Sequence, residues 1–341
     1  MPEAAPPERF ISAGRLPGAG LLQATLDDVH RIVASDAGGA LSDIYPALAD
    51  ADPTRFGLCV VSTTGTVVMA GDAQLPFTIM SVAKPFVFAL ACEAVGIEAV
   101  RRFVGVNATG LAFNSAYAVE RATQGRTNPM VNPGAIACTS LLPGSGVEER
   151  WAGLLEGLSR FAGRRLTLDA DMLRSALDTN HRNRALANML AAVDALDGDP
   201  DDAVEIYTRQ SCLTVSARDL AVMGATLADG GTNPLTGESV VDPETAHATL
   251  AVMTIAGMYE TSGDWLFDVG MPGKSGIGGG VVTVSPGKGA LGTFSPLLDA
   301  AGNSVRGGIA TRHLARRLGL DLLASKSAPP TPDPPGRVTV R

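Results

Sequence analysis

The sequence predicts an α+β fold in which both ends of the chain contribute strands to one antiparallel sheet flanked by helices. Short β-rich runs come early, at residues 55–62 and 66–71, and again late, at residues 280–284 and 290–294. Between them lies a helical part at about residues 97–256. We therefore expect the helical part to be an inserted subdomain, with a pocket where it meets the sheet.

The first elements follow from periodicity and turn chemistry. Apolar residues at helical spacing predict a helix over residues 21–36. Thr63-Thr-Gly65 separates the first two strands and predicts a hairpin. A long apolar helix then begins near Ser81 and ends near Gly96, and Pro85 is compatible with it only in or near the first turn.

Cap signals set the helix boundaries farther along the chain. Ser216 and Asp219 form a capping-box pattern, which opens a helix that Gly230 closes. Asp242-Pro243 opens another helix, which ends at Gly257. The other predicted elements are amphipathic helices at residues 149–161 and 182–196, a strand at residues 304–309 and a final helix near residues 311–318.

The domain organisation predicted from these elements is simple. Residues 1–20 are acidic and Pro-rich in their first half and read as a flexible leader. Residues 21–324 form a single domain, and residues 325–341 form a disordered Pro-rich tail.

The composition is that of a globular chain and argues against several classes of protein. The 341 residues carry a formal net charge of -8, which disfavours nucleic acid as a partner because phosphate binding needs clustered cations. No apolar run reaches the roughly 18 residues of a membrane helix. The four cysteines and four histidines are scattered, without metal-ligand spacing. We therefore expect no metal, no other cofactor, no membrane partner, buried thiols and a cytoplasmic location.

A serine and a lysine stand three residues apart at the start of the long apolar helix, in Ser81-Val-Ala-Lys84. On a helix these positions share a face, with Cβ atoms about 5–6 Å apart, so the amine could take the proton as the hydroxyl attacks a carbonyl. Only four of the 27 basic residues are Lys, and a desolvated Lys, unlike Arg, can lose its proton near neutral pH. A helix-capping Ser beside a solvated Lys is the alternative interpretation of the pair.

Two further elements suit the same chemistry. Lys274-Ser275-Gly276 begins a glycine cluster before a strand, where a backbone or a substrate can approach closely. A phosphate-binding glycine loop is disfavoured there because a strand, not a helix, follows. Asn132 stands at a turn before an apolar run, where its side chain could hold a substrate amide or simply form the turn.

Short motifs, taken in order, resemble those of the serine-dependent glutaminase family, over about residues 56–305. The matching motifs are Pro76–Lys84, Phe113–Ser115, Asn128–Asn132, Arg182–Ala187, Asp219–Ala221, Leu227–Gly231, Gly257–Tyr259, Ser262-Gly263, Lys274–Gly276, Ser295-Pro296, Leu298-Asp299 and Gly302–Val305. Ser-x-x-Lys followed by Lys-Ser-Gly also resembles elements of serine β-lactamases and penicillin-binding proteins. The resemblance implies a β-lactamase-like fold.

The resemblance also implies a reaction, the hydrolysis of L-glutamine to L-glutamate and ammonia through a serine acyl-enzyme. Ser81 would attack the side-chain amide, and Lys84 would accept its proton. Tyr259 would assist proton transfer, a role that its phenol could fill if a lysine ammonium lowers its pKa. The backbone N–H groups of Ser81 and Ile277 would form the oxyanion hole. The other site residues implied are Asn132, Asn183 and Tyr207, which would hold the glutamine, and Lys274.

The chain departs from the family pattern where the amino-acid end of the substrate would bind. The family has a Glu seven residues before the Asn of its Arg-Asn pair, and this chain has Ala176 there. Asp178 could substitute only through a shift of the backbone. The family order Tyr-Ile-Pro reads Ile44-Tyr45-Pro46 here, which predicts that the phenol points away from the pocket. A buried ammonium without its charge partner is costly, so we expect weak glutaminase activity or a changed substrate specificity.

Two other functions are compatible with these motifs. A penicillin-interacting or β-lactamase-type serine hydrolase shares Ser-x-x-Lys and Lys-Ser-Gly. A catalytically silent binding protein could use the same fold, although the presence of Ser81, Lys84 and Tyr259 disfavours it. The resemblance further implies a homo-oligomer, a dimer or a tetramer.

Overall fold

The computed structural model describes residues 14–324. The predicted tail at residues 325–341 lies outside the described residues, as does most of the predicted leader. The first helix begins at Ala19, within the predicted leader.

The α+β class predicted from the sequence is confirmed, with a main antiparallel sheet of order β2-β1-β8-β7-β6 and a small sheet of order β3-β5-β4. The strands are β1 Gly57–Ser62, β2 Val67–Gly71, β3 Phe77–Thr78, β4 Thr167–Leu168, β5 Leu213–Val215, β6 Gly273–Ser275, β7 Gly280–Ser285 and β8 Gly289–Phe294.

The pairing of β1 with β8 joins the two ends of the chain. The register runs antiparallel from Gly57 opposite Phe294 to Ser62 opposite Gly289. Side chains alternate across β1: Cys59 lies in a large core on one face of the sheet, and Leu58 lies in a smaller core on the other. This alternation is the period of two expected for a strand that is buried on both faces.

Helices cover both faces of the main sheet. Helices α1 and α14 pack together against the smaller core, and α11 packs against β7 and β8 on the opposite face. The helices are α1 Ala19–Val33, α2 Pro46–Ala49, α3 Lys84–Val95, α4 Ile97–Val100, α5 Ala116–Arg121, α6 Asn132–Ser140, α7 Val147–Ala162, α8 Ala170–Asp178, α9 His181–Ala191, α10 Pro200–Ser211, α11 Ala217–Ala228, α12 Pro243–Ala256, α13 Ser262–Val269 and α14 Val305–Leu318. Three-residue or four-residue 3₁₀ turns at Met80–Ala83, Thr123–Gly125 and Tyr259–Thr261 complete the set.

The predicted helix starts are confirmed at the caps. The Ser216 side chain accepts from the Asp219 N–H, and the Asp219 carboxylate accepts from the Ser216 N–H. Pro85 falls in the first turn of α3, where its missing N–H costs no hydrogen bond, and Gly96 follows the last residue of that helix. Pro243 begins α12 in the same way.

The predicted strand at residues 304–309 is wrong. The Ser304 side chain accepts from the Gly307 N–H at 3.4 Å, and α14 begins at Val305. A serine cap therefore starts the helix well before the predicted position near residue 311. The small sheet was not predicted, because strands of two or three residues carry too little periodic pattern to be recognised.

All four cysteines are buried free thiols, as expected. Within residues 14–324, no helix has the length and apolar character needed to cross a membrane.

Candidate active site

Ser81 lies in the 3₁₀ turn that connects β3 to α3. Met80, just before it, has a positive φ of 49°, a left-handed conformation that is unfavourable for a non-glycine residue. Burial of the Met80 side chain holds the turn in place. The strained turn presents Ser81, which is half-buried, at the wall of a cavity.

Lys84 is almost completely buried, with 2% of its surface exposed. Its Nζ donates to Asn132 Oδ1 at 2.6 Å and lies about 6 Å from the ring centres of Phe113 and Tyr207. Burial lowers the pKa of Lys84 to about 7. A large fraction of the amine is therefore neutral near pH 7 and can accept a proton. The alternative of a solvated Lys beside a helix cap is excluded.

A chain of side-chain amides continues from Lys84 through the helical part. Asn132 Nδ2 donates to Asn183 Oδ1 at 2.9 Å, and Asn183 Nδ2 donates to Asn180 Oδ1 at 2.6 Å. Asn180 Nδ2 in turn donates to Thr208 Oγ1 at 2.6 Å. Each amide is oriented by the next, so α6, α9 and α10 hold the base and the cavity wall in one rigid arrangement.

Tyr259 begins a 3₁₀ turn with a positive φ of 57°, and its side chain is buried. The hydroxyl donates to the Ser275 carbonyl at 3.2 Å and also hydrogen-bonds with Ser81. Burial raises the pKa of Tyr259 to about 12, although these hydrogen bonds act in the opposite direction. The predicted lowering of this pKa by a lysine ammonium is therefore wrong, because burial outweighs every other influence on the phenol.

Lys274 is fully buried behind Tyr259. Its Nζ lies 3.9 Å from the centre of the Tyr259 ring and donates to the Ser275 carbonyl at 2.5 Å. Burial, together with the charge of Lys84, lowers the pKa of Lys274 well below its usual value. Lys274 supports Tyr259 from behind and does not line the cavity.

The turn between β6 and β7 lies directly against the backbone of Ile79 and Ser81. A Cβ on Gly276 would lie 3.0 Å from the Ile79 carbonyl and 3.1 Å from the Ser81 nitrogen, so only glycine fits without displacement. The N–H groups of Ser81 and Ile277 have no acceptor among residues 14–324. Two free donors beside a nucleophile are the arrangement that stabilises a tetrahedral oxyanion.

These groups surround a cavity of about 100 Å³, called here the Ser81 cavity. The predicted residues that line it are Ser81, Asn132, Asn183, Tyr207 and Ile277. Lys84 and Tyr259 lie behind this lining and contact Asn132 and Ser81, respectively, and Lys274 lies behind Tyr259. The full lining is Ile44, Tyr45, Met80, Ser81, Phe113, Asn114, Asn132, Ala176, Thr179, Asn180, Arg182, Asn183, Tyr207, Thr208, Ser211, Cys212 and Ile277.

The far end of the cavity contains both predicted departures. Ala176 is buried and lines the cavity, whereas Asp178 is exposed and does not. The prediction that Tyr45 points away is wrong: Tyr45 lines the cavity, and burial raises its pKa to about 12. Tyr45 precedes α2, and its extended backbone at that point turns the phenol inward.

Sequence reasoning missed several residues of the site. Asn180 precedes Asn183 by three residues at the start of α9, a spacing that places both on one face and could have identified it. Thr208 follows Tyr207 directly, but no sequence signal indicates that its hydroxyl meets Asn180. Arg182 lies at the cavity and donates from Nε to the Asn114 carbonyl at 3.0 Å.

Comparison with curated proteins gives relatives over nearly the whole chain. "Glutaminase 2" of Yersinia pestis is 56% identical over 317 residues, which are 93% of each chain. The "Glutaminase" of Colwellia psychrerythraea is 44% identical over 298 residues, covering 87% of this chain and 96% of that protein.

The solved structures that this chain resembles are also described as glutaminases or as Mglu. A structure described as probable glutaminase ybaS superposes with a TM-score of 0.89 at 39% identity, covering 91% of this chain and all of that one. A crystal structure of Mglu in its glutamate form gives 0.85 at 38% identity, covering 90% of this chain and 71% of that one. The predicted β-lactamase-like fold is thereby confirmed, and the relatives favour an amidohydrolase over the two alternative functions.

A model of one protein family, described as Glutaminase, matches residues 39–323. The match covers both strands of the first hairpin, the Ser81 cavity and the final helix. With this match and a relative of 56% identity over 93% of the chain, the chain belongs to the glutaminase family.

Proposed function

We propose that this chain hydrolyses the side-chain amide of L-glutamine to L-glutamate and ammonia, through an acyl-enzyme on Ser81. The observation that carries the proposal is the buried Lys84, whose pKa of about 7 and contact with Asn132 fit it to act as a base beside Ser81. Membership of the glutaminase family supports glutamine as the substrate class.

Acylation begins when neutral Lys84 takes the Ser81 proton and Oγ attacks the amide carbon. The carbonyl oxygen becomes a tetrahedral oxyanion, which the free N–H groups of Ser81 and Ile277 stabilise. In related enzymes one such donor is worth about 3–4 kcal/mol of transition-state stabilisation. The C–N bond then breaks, and the leaving nitrogen takes a proton and departs as ammonia.

Tyr259 conducts the proton between base and leaving group. Its pKa of about 12 keeps the phenol protonated, so it cannot act as the resting base. Because it hydrogen-bonds with Ser81, it can donate its own proton to the leaving nitrogen while it receives one from the Lys84 ammonium.

Deacylation reverses these roles. Water attacks the Ser81 ester carbon, Lys84 accepts the water proton, and the same two N–H groups stabilise the second oxyanion. Collapse of this intermediate returns the proton to Ser81 Oγ and releases the carboxylic acid product. Asn132, Asn183 and Tyr207, on the cavity wall, hold the substrate through both steps.

We also propose a cellular location and an oligomeric state for the protein. Four buried free thiols suit a reducing compartment such as the cytoplasm. Exposed apolar side chains, among them Phe267 at 90% exposure and Leu323 at 67%, suit a homo-oligomer, a dimer or a tetramer. Light scattering of the purified chain and imaging of a fluorescent fusion test these two points.

The test of the reaction is ammonia release from glutamine by the purified chain, with Ser81→Ala and Lys84→Met as variants. Both changes remove a group of the acyl-transfer machinery, so we expect kcat to fall by about 10⁴ or more. Lys288→Met, at a partly exposed surface lysine, is the matched control and should keep its activity. Acid-quenched wild-type protein should carry a glutamyl ester on Ser81, seen by intact mass.

Two results would contradict the proposal. Ammonia release that persists in Ser81→Ala would show that another group is the nucleophile. Covalent labelling of Ser81 by a penicillin, without any reaction with glutamine, would instead support the penicillin-interacting hydrolase.

A further inference from the structure

The lining of the Ser81 cavity has an unusual charge pattern for an amino-acid site. Among the described residues that line it, Arg182 is the one charged side chain, and none is Asp or Glu. Lys84, just behind the lining, adds positive charge whenever it is protonated. The charged groups at the lining are therefore cationic, and no described lining residue carries an anion that could pair with a substrate ammonium.

Three carboxylates stand on or next to α8, the helix that carries Ala176. Asp169 caps α8 by accepting from the Met172 N–H at 2.9 Å. Asp171 pairs with Arg174, and Asp178 is exposed on the same helix. None of the three acids on or next to α8 lines the cavity.

The wall beside Ala176 is apolar. Ala176 belongs to a buried cluster with Met80, Cys212 and Ile277, against which the Tyr45 ring packs. Buried neutral groups of this kind cannot replace the water that solvates an ammonium, so a charged amine placed here is strongly disfavoured.

The aromatic faces nearest Lys84 do not favour a second cation. Of the three rings that line the cavity, Phe113 and Tyr207 have Lys84 Nζ about 6 Å from their centres, and Tyr45 packs against the cluster of Ala176. A second cation between these rings would meet the positive charge of Lys84 as well as that of Arg182.

A carboxylate, by contrast, has a partner. Arg182 uses its Nε for the Asn114 carbonyl and has no other hydrogen-bond partner among residues 14–324. Its terminal amino groups are free to form the fork that matches a carboxylate. Arg182 stands at the start of α9, one residue before Asn183, so a carboxylate there would lie close to the amide chain.

We infer that the Ser81 cavity selects a primary amide that carries a carboxylate but no free ammonium group. Glutaramate, the monoamide of glutaric acid, is the simplest such compound, and glutamine acylated on its α-nitrogen is another. The inference rests on the proposed amide hydrolysis and specifies its substrate class. The same oxyanion hole and base act on the amide end, while the far end distinguishes between substrates.

The test compares kcat/KM for ammonia release from glutaramate, N-acetylglutamine and glutamine, with the purified full chain. Because an uncompensated charge is rejected strongly by an apolar wall, we expect glutaramate to exceed glutamine by at least about tenfold. A glutamine value equal to or above that of glutaramate overturns the inference and leaves the proposed function intact. Absence of ammonia from all three amides overturns both.

Two pairs of variants locate the selectivity. Ala176→Glu supplies a carboxylate at the apolar wall and should lower the ratio of glutaramate to glutamine by about tenfold, whereas the neutral Ala176→Gln should leave the ratio unchanged. Arg182→Gln should reduce kcat/KM for glutaramate about tenfold but not for butyramide, which lacks the carboxylate. Arg184→Gln, exposed on the same helix and away from the cavity, is its matched control.

The variants at Ala176 and Arg182 give results that distinguish a role of charge from a loss of folding. Equal ratios in Ala176→Glu and Ala176→Gln would refute a role of charge at this wall. If Ala176→Glu fails to fold, the wild-type ratio and the Arg182 and Arg184 pair still decide the inference.

Discussion

The two ends of the Ser81 cavity differ in how their polar groups are satisfied. At the reacting end, Lys84, Asn132 and Tyr259 are buried and each has a defined hydrogen-bond partner. At the far end, Ala176 and its neighbours present apolar surface, and Arg182 at the rim has free donors. The difference teaches that the chemistry and the choice of substrate depend on separate parts of this fold.

The two ends also differ in origin. The reacting end is assembled from residues distant in the chain, on the 3₁₀ turn before α3, on α6, at Tyr259 and on β6. The far end is built from Ile44 and Tyr45, just before α2, and from α8 and the start of α9. Groups held by several packed elements cannot move singly, and Ala176 meets the reacting end through the buried cluster that it shares with Met80 and Ile277.

Among the variants that compare the two ends, Gly276→Ala has the largest expected effect, and it changes the reacting end. The new Cβ would lie 3.0 Å from the Ile79 carbonyl and 3.1 Å from the Ser81 nitrogen. The turn that carries Ile277 must therefore move away, and we expect kcat to fall about 100-fold, since small misplacements of catalytic groups are costly. Steady-state ammonia release measures the change.

Gly263→Ala is the control for this substitution. It lies in α13, where an added Cβ meets nothing within 4 Å, so activity and melting temperature should be retained. Normal kcat in Gly276→Ala would argue against an oxyanion hole formed by Ser81 and Ile277.

The sequence predicts the reacting end better than the far end, for physical reasons. The spacing of Ser81 and Lys84 and the scarcity of lysine predict a nucleophile and a base without any structure, and the structure confirms that Lys84 is buried. Burial is what the sequence does not show, and burial raises the pKa of Tyr259 where a neighbouring lysine was expected to lower it.

The far end depends on tertiary geometry that local pattern does not contain. The inward direction of Tyr45 follows from the extended backbone before α2, which the order of residues 44–46 does not reveal. Asn180 was missed although it stands three residues before Asn183, because a buried amide at a helix start is more often a cap. The strand predicted at residues 304–309 fails for a related reason, since Ser304 turned out to be a helix cap.

The amide chain links the two ends, and Asn180→Ala tests that link with an intermediate effect. The change removes two hydrogen bonds of 2.6 Å each, the one from Asn183 Nδ2 to Asn180 Oδ1 and the one from Asn180 Nδ2 to Thr208 Oγ1. We expect KM to rise about tenfold with kcat reduced less than about threefold, because the groups that hold substrate lose their orientation. The free energy of unfolding should fall by about 1–3 kcal/mol.

Asn188→Ala provides the comparison on the same helix. Asn188 is exposed and donates to the Arg184 carbonyl, so its removal should alter neither KM nor stability appreciably. If Asn180→Ala lowers the stability but leaves KM unchanged, the chain of side-chain amides has a structural role only.

The smallest expected effect is the change of kcat/KM with pH in the wild-type protein, and it tests directly whether Lys84 is the base. As the proposed base, Lys84 acts only when neutral, and its pKa is about 7. We therefore expect kcat/KM to rise with pH to a plateau and to reach about half of that plateau near pH 7.

Asn132→Asp places a carboxylate at the atom that Nζ contacts at 2.6 Å. The negative charge favours the ammonium form, which should move the midpoint upward by about one pH unit or more. A midpoint that stays unchanged in this variant would mean that the titrating group is not Lys84, and the base would then have to be sought among the groups behind Tyr259.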